Sequence, residues 1–276
     1  MRMHTKNTKM VTLIHIVLII GSFLMVVPFL WMLLTSGKTI SESTQIPPQI
    51  FPKIFQIENY KTVWNSLPFV SFYINTGLMI AFRVLTSTLF SAMAAFAVAK
   101  LDFPGKKLFF GIVLTQMMIP SQIYLTPQYL LVQKLGLLNT VSALVIPGIV
   151  SAFGTFLLRQ FFIKLPNELM EAATIDGATV WQVFYRIYMP LARSGLVALG
   201  IFTSLFAFKD LMWPLVVNMS QDKMTLSAGL ASLQGQFTTN YPQLMAGSVI
   251  AIIPMIILYV IFQKQFIEGI ATTGGK

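Results

Sequence analysis

The chain has 276 residues, of which 55% are hydrophobic and 10% charged, with a formal net charge of +10 and no cysteine. A soluble domain averages about 25% charged residues, so these charges are too few to cover a water-soluble body of this size, and a lipid-facing surface accounts for them. Without cysteine there are no disulfide staples, cysteine-ligated metals or thiol catalysis, and the basic residues fall in short runs between apolar stretches rather than in a dense patch with interleaved aromatics, which argues against nucleic acid as a partner.

A membrane helix needs about 20 mainly apolar residues. Six stretches qualify: 10–34, 69–99, 108–131, 141–162, 196–217 and 246–266. The first follows basic residues, as a signal peptide does, but it is too long and no small-x-small cleavage site follows at the usual distance, so a retained span is expected. Between the first two spans, residues 35–68 are rich in proline and polar side chains (Gln45, Pro47, Pro48, Gln49, Pro52) and show no clear helical period. Residues 218–243 form a second polar segment. Pro28, Pro120, Pro127, Pro147, Pro214 and Pro254 fall at or within spans. Kinked helices suit a pathway, and they are equally ordinary bundle geometry.

Short cytoplasmic loops carry excess Lys and Arg. One set of ends and loops holds Arg2, Lys6, Lys9, Lys100, Lys106, Lys107, Arg159, Lys164, Arg186, Arg193, Lys264 and Lys276; the other holds Lys38, Lys53, Lys61, Lys134 and Lys223. The bias places both termini on the cytoplasmic side. No internal repeat is evident. The expected fold is an all-α integral membrane protein with six transmembrane helices, forming a single membrane domain over residues 1–276.

The segment 164–195 stands apart, because it is partly apolar yet lies on the wet side between the fourth and fifth spans. Asn167 is a good helix N-cap and Glu168 suits the first turn. A short helix then runs through Met170, Ala172, Ala173 and Ile175. Asp176-Gly177 signals a tight turn, and Thr179 with Gln182 has capping-box spacing for a second helix. Its stripe is Val180, Val183, Phe184, Ile187 and Tyr188, and Pro190 is expected to stop it. Such apolar surface needs either a partner protein or a fold-back contact with the chain's own helix ends.

The run EAATIDGA, followed by IYMP, resembles the EAA loop of ABC-importer permeases, with Glu171, Ala172, Ala173, Asp176, Gly177, Ala178, Ile187 and Pro190 at the matching positions and Met189 in place of a leucine. KLDFPGKKL, MIPSQIYLTPQYLLVQKLGLLNT, KDLMWPLVV and the C-terminal QKQFIEGIATTGGK also resemble stretches of that family, and the carbohydrate-uptake group, with its maltose-type second permease, is the nearest in pattern. The resemblance implies a subunit forming half of a translocation pathway for a sugar or oligosaccharide in a bacterial cytoplasmic membrane. It implies cytoplasmic ABC ATPase subunits, a second permease that is a different chain, and an extracytoplasmic solute-binding protein as partners. The ATPases would be coupled through Glu171, Ala172, Ala173, Asp176, Gly177, Ala178 and Pro190. ATP itself is expected to be bound elsewhere: the phosphate-cradling pattern GxxxxGK[ST] is absent, and no cofactor or metal is expected.

Ionisable groups inside spans are costly and are functional candidates by default. Arg83, Lys209 and Asp210 are such groups, and with Trp213 and Asn218 they are the pathway candidates; a structural ion pair or snorkelling is the plain alternative for the charged ones. Arg83 could pair with Asp210 or lie near a water-filled cavity. Asn75, Gln116 and Gln122 could contact sugar hydroxyls or serve as interhelical glue. Lys209 stands where the family usually has asparagine. His4 and His15 are isolated, and HExxH, GxSxG and paired-carboxylate patterns are absent. Three other readings stay open: a permease of the same build for a non-sugar solute, a self-sufficient secondary carrier, and, weakest for want of a catalytic constellation, a membrane enzyme.

Overall fold

The computed structural model describes residues 8–235 and 238–274; Arg2, Lys6 and Lys276, used above for orientation, lie outside them. All regular structure among the described residues is helical. Among the described residues, three helices are long and apolar enough to cross a bilayer: α1 (Thr8–Ser36), α4 (Phe69–Lys100) and α15 (Tyr241–Gly274, apolar as far as Gln263). Three bent pairs make six crossings if each counts as one.

Two of the three bends fall beside prolines, which lack a backbone N–H donor. After α5 (Lys106–Met118), Pro120 starts a 3-10 turn and the axis swings by 102° into α6 (Leu125–Lys134). After α7 (Val141–Val145), Pro147 sits in a 3-10 turn and the chain bends by 48° into α8 (Ala152–Lys164), which is capped by Ser151. A short helix, α9 (Glu168–Ile175), follows. Then α10 (Val180–Val183), a π-helical turn (Phe184–Tyr188) and α11 (Met189–Leu191) run together and meet α12 (Arg193–Lys209) at 78°. The fifth expected span, 196–217, is therefore not continuous. Its helix ends at Lys209, Asp210 is extended, and α13 (Met212–Val217) restarts the helix. Two small helices, α2 (Ile40–Thr44) and α3 (Glu58–Ser66), lie in the stretch 35–68 that showed no helical period, and α14 (Leu226–Ala231) lies in the second polar segment.

The chain divides into two compact units. One holds the residues up to Leu67 together with Leu230–Pro254. Here Lys38 is buried, at 1% exposure, with its ammonium 4.3 Å from the Trp31 ring centre and donating to the Gln49 carbonyl at 2.5 Å. Asn59 Nδ2 donates to the carbonyls of Ser36 and Lys38, and Thr39 and Glu42 form a capping box that starts α2. The Thr39 and Lys53 amides both donate to the Glu42 carboxylate and hold its pKa below the usual carboxylate value.

The other unit holds Pro68–Gly229 with the chain from Met255 on. α4, α8 and α12 pack on one another at its centre. The approach is close because the contact residues are small. A methyl group on Gly154 would lie 2.8 Å from Ser91 Oγ and 2.9 Å from Leu199, and Ser91 Oγ donates to the Ser151 carbonyl while accepting from its amide. Small residues at a helix interface let backbones approach and hydrogen-bond, which stands in for the hydrophobic drive that lipid removes.

Candidate coupling and pathway sites

At one end of the α4–α8–α12 packing, α9 turns back through Asp176 and Gly177 into α10. Gly177 has φ +79°, its amide donates to the Thr174 carbonyl, and the Ala178 amide donates to the Ala173 carbonyl at 2.9 Å. These two bonds are the Schellman closure of a helix C-terminus, which places a left-handed residue where glycine carries no penalty. One residue later the capping box forms: the Thr179 amide donates to Gln182 Oε1 at 2.8 Å and the Gln182 amide to Thr179 Oγ1 at 3.3 Å. Both ends of the turn are thus closed by the chain itself.

Two expectations for this segment are corrected. Asn167 has helical dihedrals and makes no capping bond; its Oδ1 instead accepts from Lys100 Nζ at 2.6 Å. A charged donor competes well with a backbone amide for the same oxygen. Pro190 does not stop the second helix, which runs on to Leu191. It lies just after the π-helical turn Phe184–Tyr188 inside one continuous helical run, and the axis bends at Ala192 instead.

The inner face of the segment is anchored. Phe96 of α4, Phe162 of α8, Phe184 and Tyr188 form one cluster with ring centres 5.1–6.2 Å apart, and the Tyr188 hydroxyl donates to the Pro166 carbonyl. Lys100 Nζ adds a bond to the Leu165 carbonyl at 2.6 Å and lies over the Tyr188 ring. Each aromatic pair contributes about 1 kcal/mol beyond its buried area. The outer face is open: Glu171, Ala172, Asp176 and Gly177 are exposed, as are Ile175 (85%) and Trp181 (54%), while Ala173 is buried and Ala178 half-buried. A hollow of about 350 Å³ lies along it, lined by Ala173, Asp176, Gly177, Ala178, Gln182, Arg186 and Ile187.

A second, larger cavity of about 490 Å³ lies at the break between α12 and α13. Arg83, Lys209, Asp210 and Trp213 line it, with Ser121, Gln122, Gln128 and Phe206. Arg83 Nη1 donates to Asp210 Oδ2 at 2.9 Å and Arg83 Nε to the Leu144 carbonyl at 2.7 Å. Ser227 Oγ donates to the Asp210 carbonyl at 2.6 Å, satisfying a backbone group freed by the break. The Trp213 indole N–H donates to the Ala143 carbonyl.

Three comparisons place the chain. The family model described as binding-protein-dependent transport system inner membrane component matches residues 87–270. The arabinooligosaccharides transport system permease protein AraQ of Halalkalibacterium halodurans is 36% identical over 258 residues, covering 92% of each chain. The chain belongs to this family of inner-membrane transport components. The diacetylchitobiose uptake system permease protein NgcG of Streptomyces coelicolor is 29% identical, covering 97% of this permease and 89% of the relative. A chain of a bacterial ABC transporter involved in the import of the acidic polysaccharide alginate shares the fold, with a TM-score of 0.78 and 23% identity over 96% of the permease and 99% of that chain. The permease is accordingly a multi-pass membrane transport subunit and not an enzyme.

Of the five pathway candidates in the permease, the structure gathers Arg83, Lys209, Asp210 and Trp213 at one cavity and leaves out Asn218. Asn218 is buried, and its Nδ2 donates to the carbonyls of Lys223 and Thr140. Asn75 is likewise spent on backbone, donating to the Asp222 and Met224 carbonyls. Gln122 faces the cavity. Ser121, Gln128 and Phe206, which also line it, carried no signal in the sequence, since one polar or aromatic residue beside a bend has no pattern of its own. Lys100 was legible only as a loop charge, although it ties α4 to the start of α9.

Proposed function

We propose that the permease forms half of the translocation pathway of an ABC importer for a carbohydrate, with residues 1–276 acting as a single permease domain and both termini in the cytoplasm. The observation that carries this reading is the two-faced segment around Gly177. A turn closed at both ends presents an open face, and its other face is locked into α4 and α8 by aromatic rings. That is what a transmitting element requires. A push on the open face of α9 moves helices rather than bending a loop, and ATP-driven closure of a partner then biases one of two helix arrangements.

On this reading Glu171, Ala172, Ala173, Asp176, Gly177 and Ala178 seat in a cytoplasmic ABC ATPase, and Pro190 sets how the second helix meets α12. A second permease, a different chain, completes the pathway, and an extracytoplasmic solute-binding protein delivers the solute. The cavity at Arg83, Lys209, Asp210 and Trp213 belongs to that pathway. A carbohydrate cargo is supported by the relatives, whose names specify arabinooligosaccharides and diacetylchitobiose.

Purification of the tagged permease in mild detergent, followed by mass spectrometry and ATP-dependent uptake in proteoliposomes, tests the proposal. Recovery of an ATPase and a second permease, with accumulation of unaltered oligosaccharide, is expected. Uptake that persists without ATP or an ATPase supports the self-sufficient carrier instead.

A further inference from the structure

We infer that the cavity at the α12 break receives an acidic group of the transported solute, a carboxylate or phosphate ester carried on carbohydrate, with Lys209 as its counter-charge. This rests on the carbohydrate-permease reading and narrows it. The charges around the cavity do not balance. Three ionisable side chains line it: Arg83, Lys209 and Asp210. Arg83 and Asp210 answer each other at 2.9 Å, with only 12% and 23% of their side chains exposed. Asp210 is thereby neutralised, and Arg83 is further occupied by the Leu144 carbonyl. Lys209 makes no ion pair among the described residues and is exposed at the same cavity. The lining therefore carries one net positive charge.

The neutral polar groups around this cation are Ser121, Gln122 and Gln128, which donate and accept hydrogen bonds as sugar hydroxyls require. Phe206 offers an apolar face, and about 490 Å³ falls in the range of small-molecule sites. A purely neutral sugar would leave the cation to water alone, whereas an acidic group would bring an opposite charge to it in the cavity, where exclusion of water on binding strengthens the attraction. Lys209 also ends α12, where a cation suits the carbonyl end of a helix. That role is indifferent to the charge of the cargo, which makes selectivity the discriminating readout.

The test uses the complete importer, permease with its ATPase, second permease and binding protein, in proteoliposomes. It is offered an equimolar mixture of short neutral oligosaccharides, their uronate-bearing counterparts and phosphorylated sugars, and the contents are read by mass spectrometry. Accumulation of an acidic species over its neutral counterpart is expected, and whether that species is the uronate or the phosphate names the group. Lys209→Gln is expected to lower the acidic-to-neutral ratio about tenfold, the effect of losing one partly desolvated charge contact, and Lys209→Arg to retain it. A ratio that Lys209→Gln leaves unchanged, or a wild-type importer that takes only neutral species, overturns this inference and leaves the carbohydrate reading standing. ATP-dependent uptake of no carbohydrate at all overturns both.

Discussion

Replacing Gly177 separates folding from coupling. The residue sits at φ +79° and a side chain there would meet nothing within 4 Å, so the cost is confined to the backbone. A left-handed conformation costs an L-residue about 1–2 kcal/mol, and less for Asp or Asn. Gly177→Asp adds a carboxylate beside Asp176 at a helix C-terminus, unfavourable by about 0.3–1 kcal/mol at an exposed site. The total, about 1–2 kcal/mol, is small against a stability of about 5–15 kcal/mol, and no packed contact is lost. Insertion and assembly of the membrane helices are therefore expected to survive. On the open face, however, the change places a negative charge where close approach is needed. Gly177→Asp is expected to abolish solute uptake and solute-stimulated ATP hydrolysis in proteoliposomes, while Gly177→Asn, which tolerates the same dihedral without charge, retains most of both. Wild-type uptake by a correctly inserted Gly177→Asp protein refutes the reasoning.

The anchoring of the same segment predicts the opposite kind of defect. Tyr188→Ala empties a fully buried ring site and is expected to cost about 3–5 kcal/mol, seen as a lower thermal midpoint in detergent, whereas Tyr188→Phe loses only the bond to Pro166, about 1 kcal/mol. Arg83→Met leaves Asp210 unanswered in a largely buried site and should destabilise by about 3 kcal/mol; the double variant with Asp210→Leu should recover part of that in the same melting assay, giving a non-additive cycle. Gly154→Val drives a side chain into Ser91 and Leu199, so detergent-extracted protein is expected to aggregate during size-exclusion chromatography. The lowered Glu42 pKa means that the α2 turn gains stability above the unfolded carboxylate pKa and loses it as pH falls through the folded value; amide exchange at Thr39 and Lys53, corrected for its intrinsic rate, should accelerate over that range.

How much of this was legible in the sequence depended on whether the signal was local. The capping box at Thr179 and Gln182 and the glycine turn at Gly177 were readable because each needs only neighbours in sequence. The first and second spans were readable from hydropathy alone. The breaks at Pro120, Pro147 and Asp210 were less so. Composition averaged over 20 residues does not register a bend, and only the two prolines flagged any of them. The destination of polar side chains was hidden for a different reason. Asn167 was a sound cap candidate until Lys100, 67 residues away, took its oxygen, and Asn218 was a pathway candidate whose amide is spent on the Lys223 and Thr140 carbonyls. The pairing of Arg83 with Asp210 was one of the options the sequence left open, and the packing of α4 beside the α12 break realises it.

The chain has no native cysteine, so Ile175→Cys, at the most exposed apolar position of α9, provides a unique thiol. Cross-linking it in membrane vesicles to single cysteines placed across the surface of the co-expressed ATPase is the most direct test of the coupling role. A cross-link to one groove of the ATPase, with a yield that changes on adding ATP, is the predicted result. A thiol that reacts with impermeant reagent from the outer side of the membrane, or that never cross-links to the ATPase in an assembled and active importer, contradicts it.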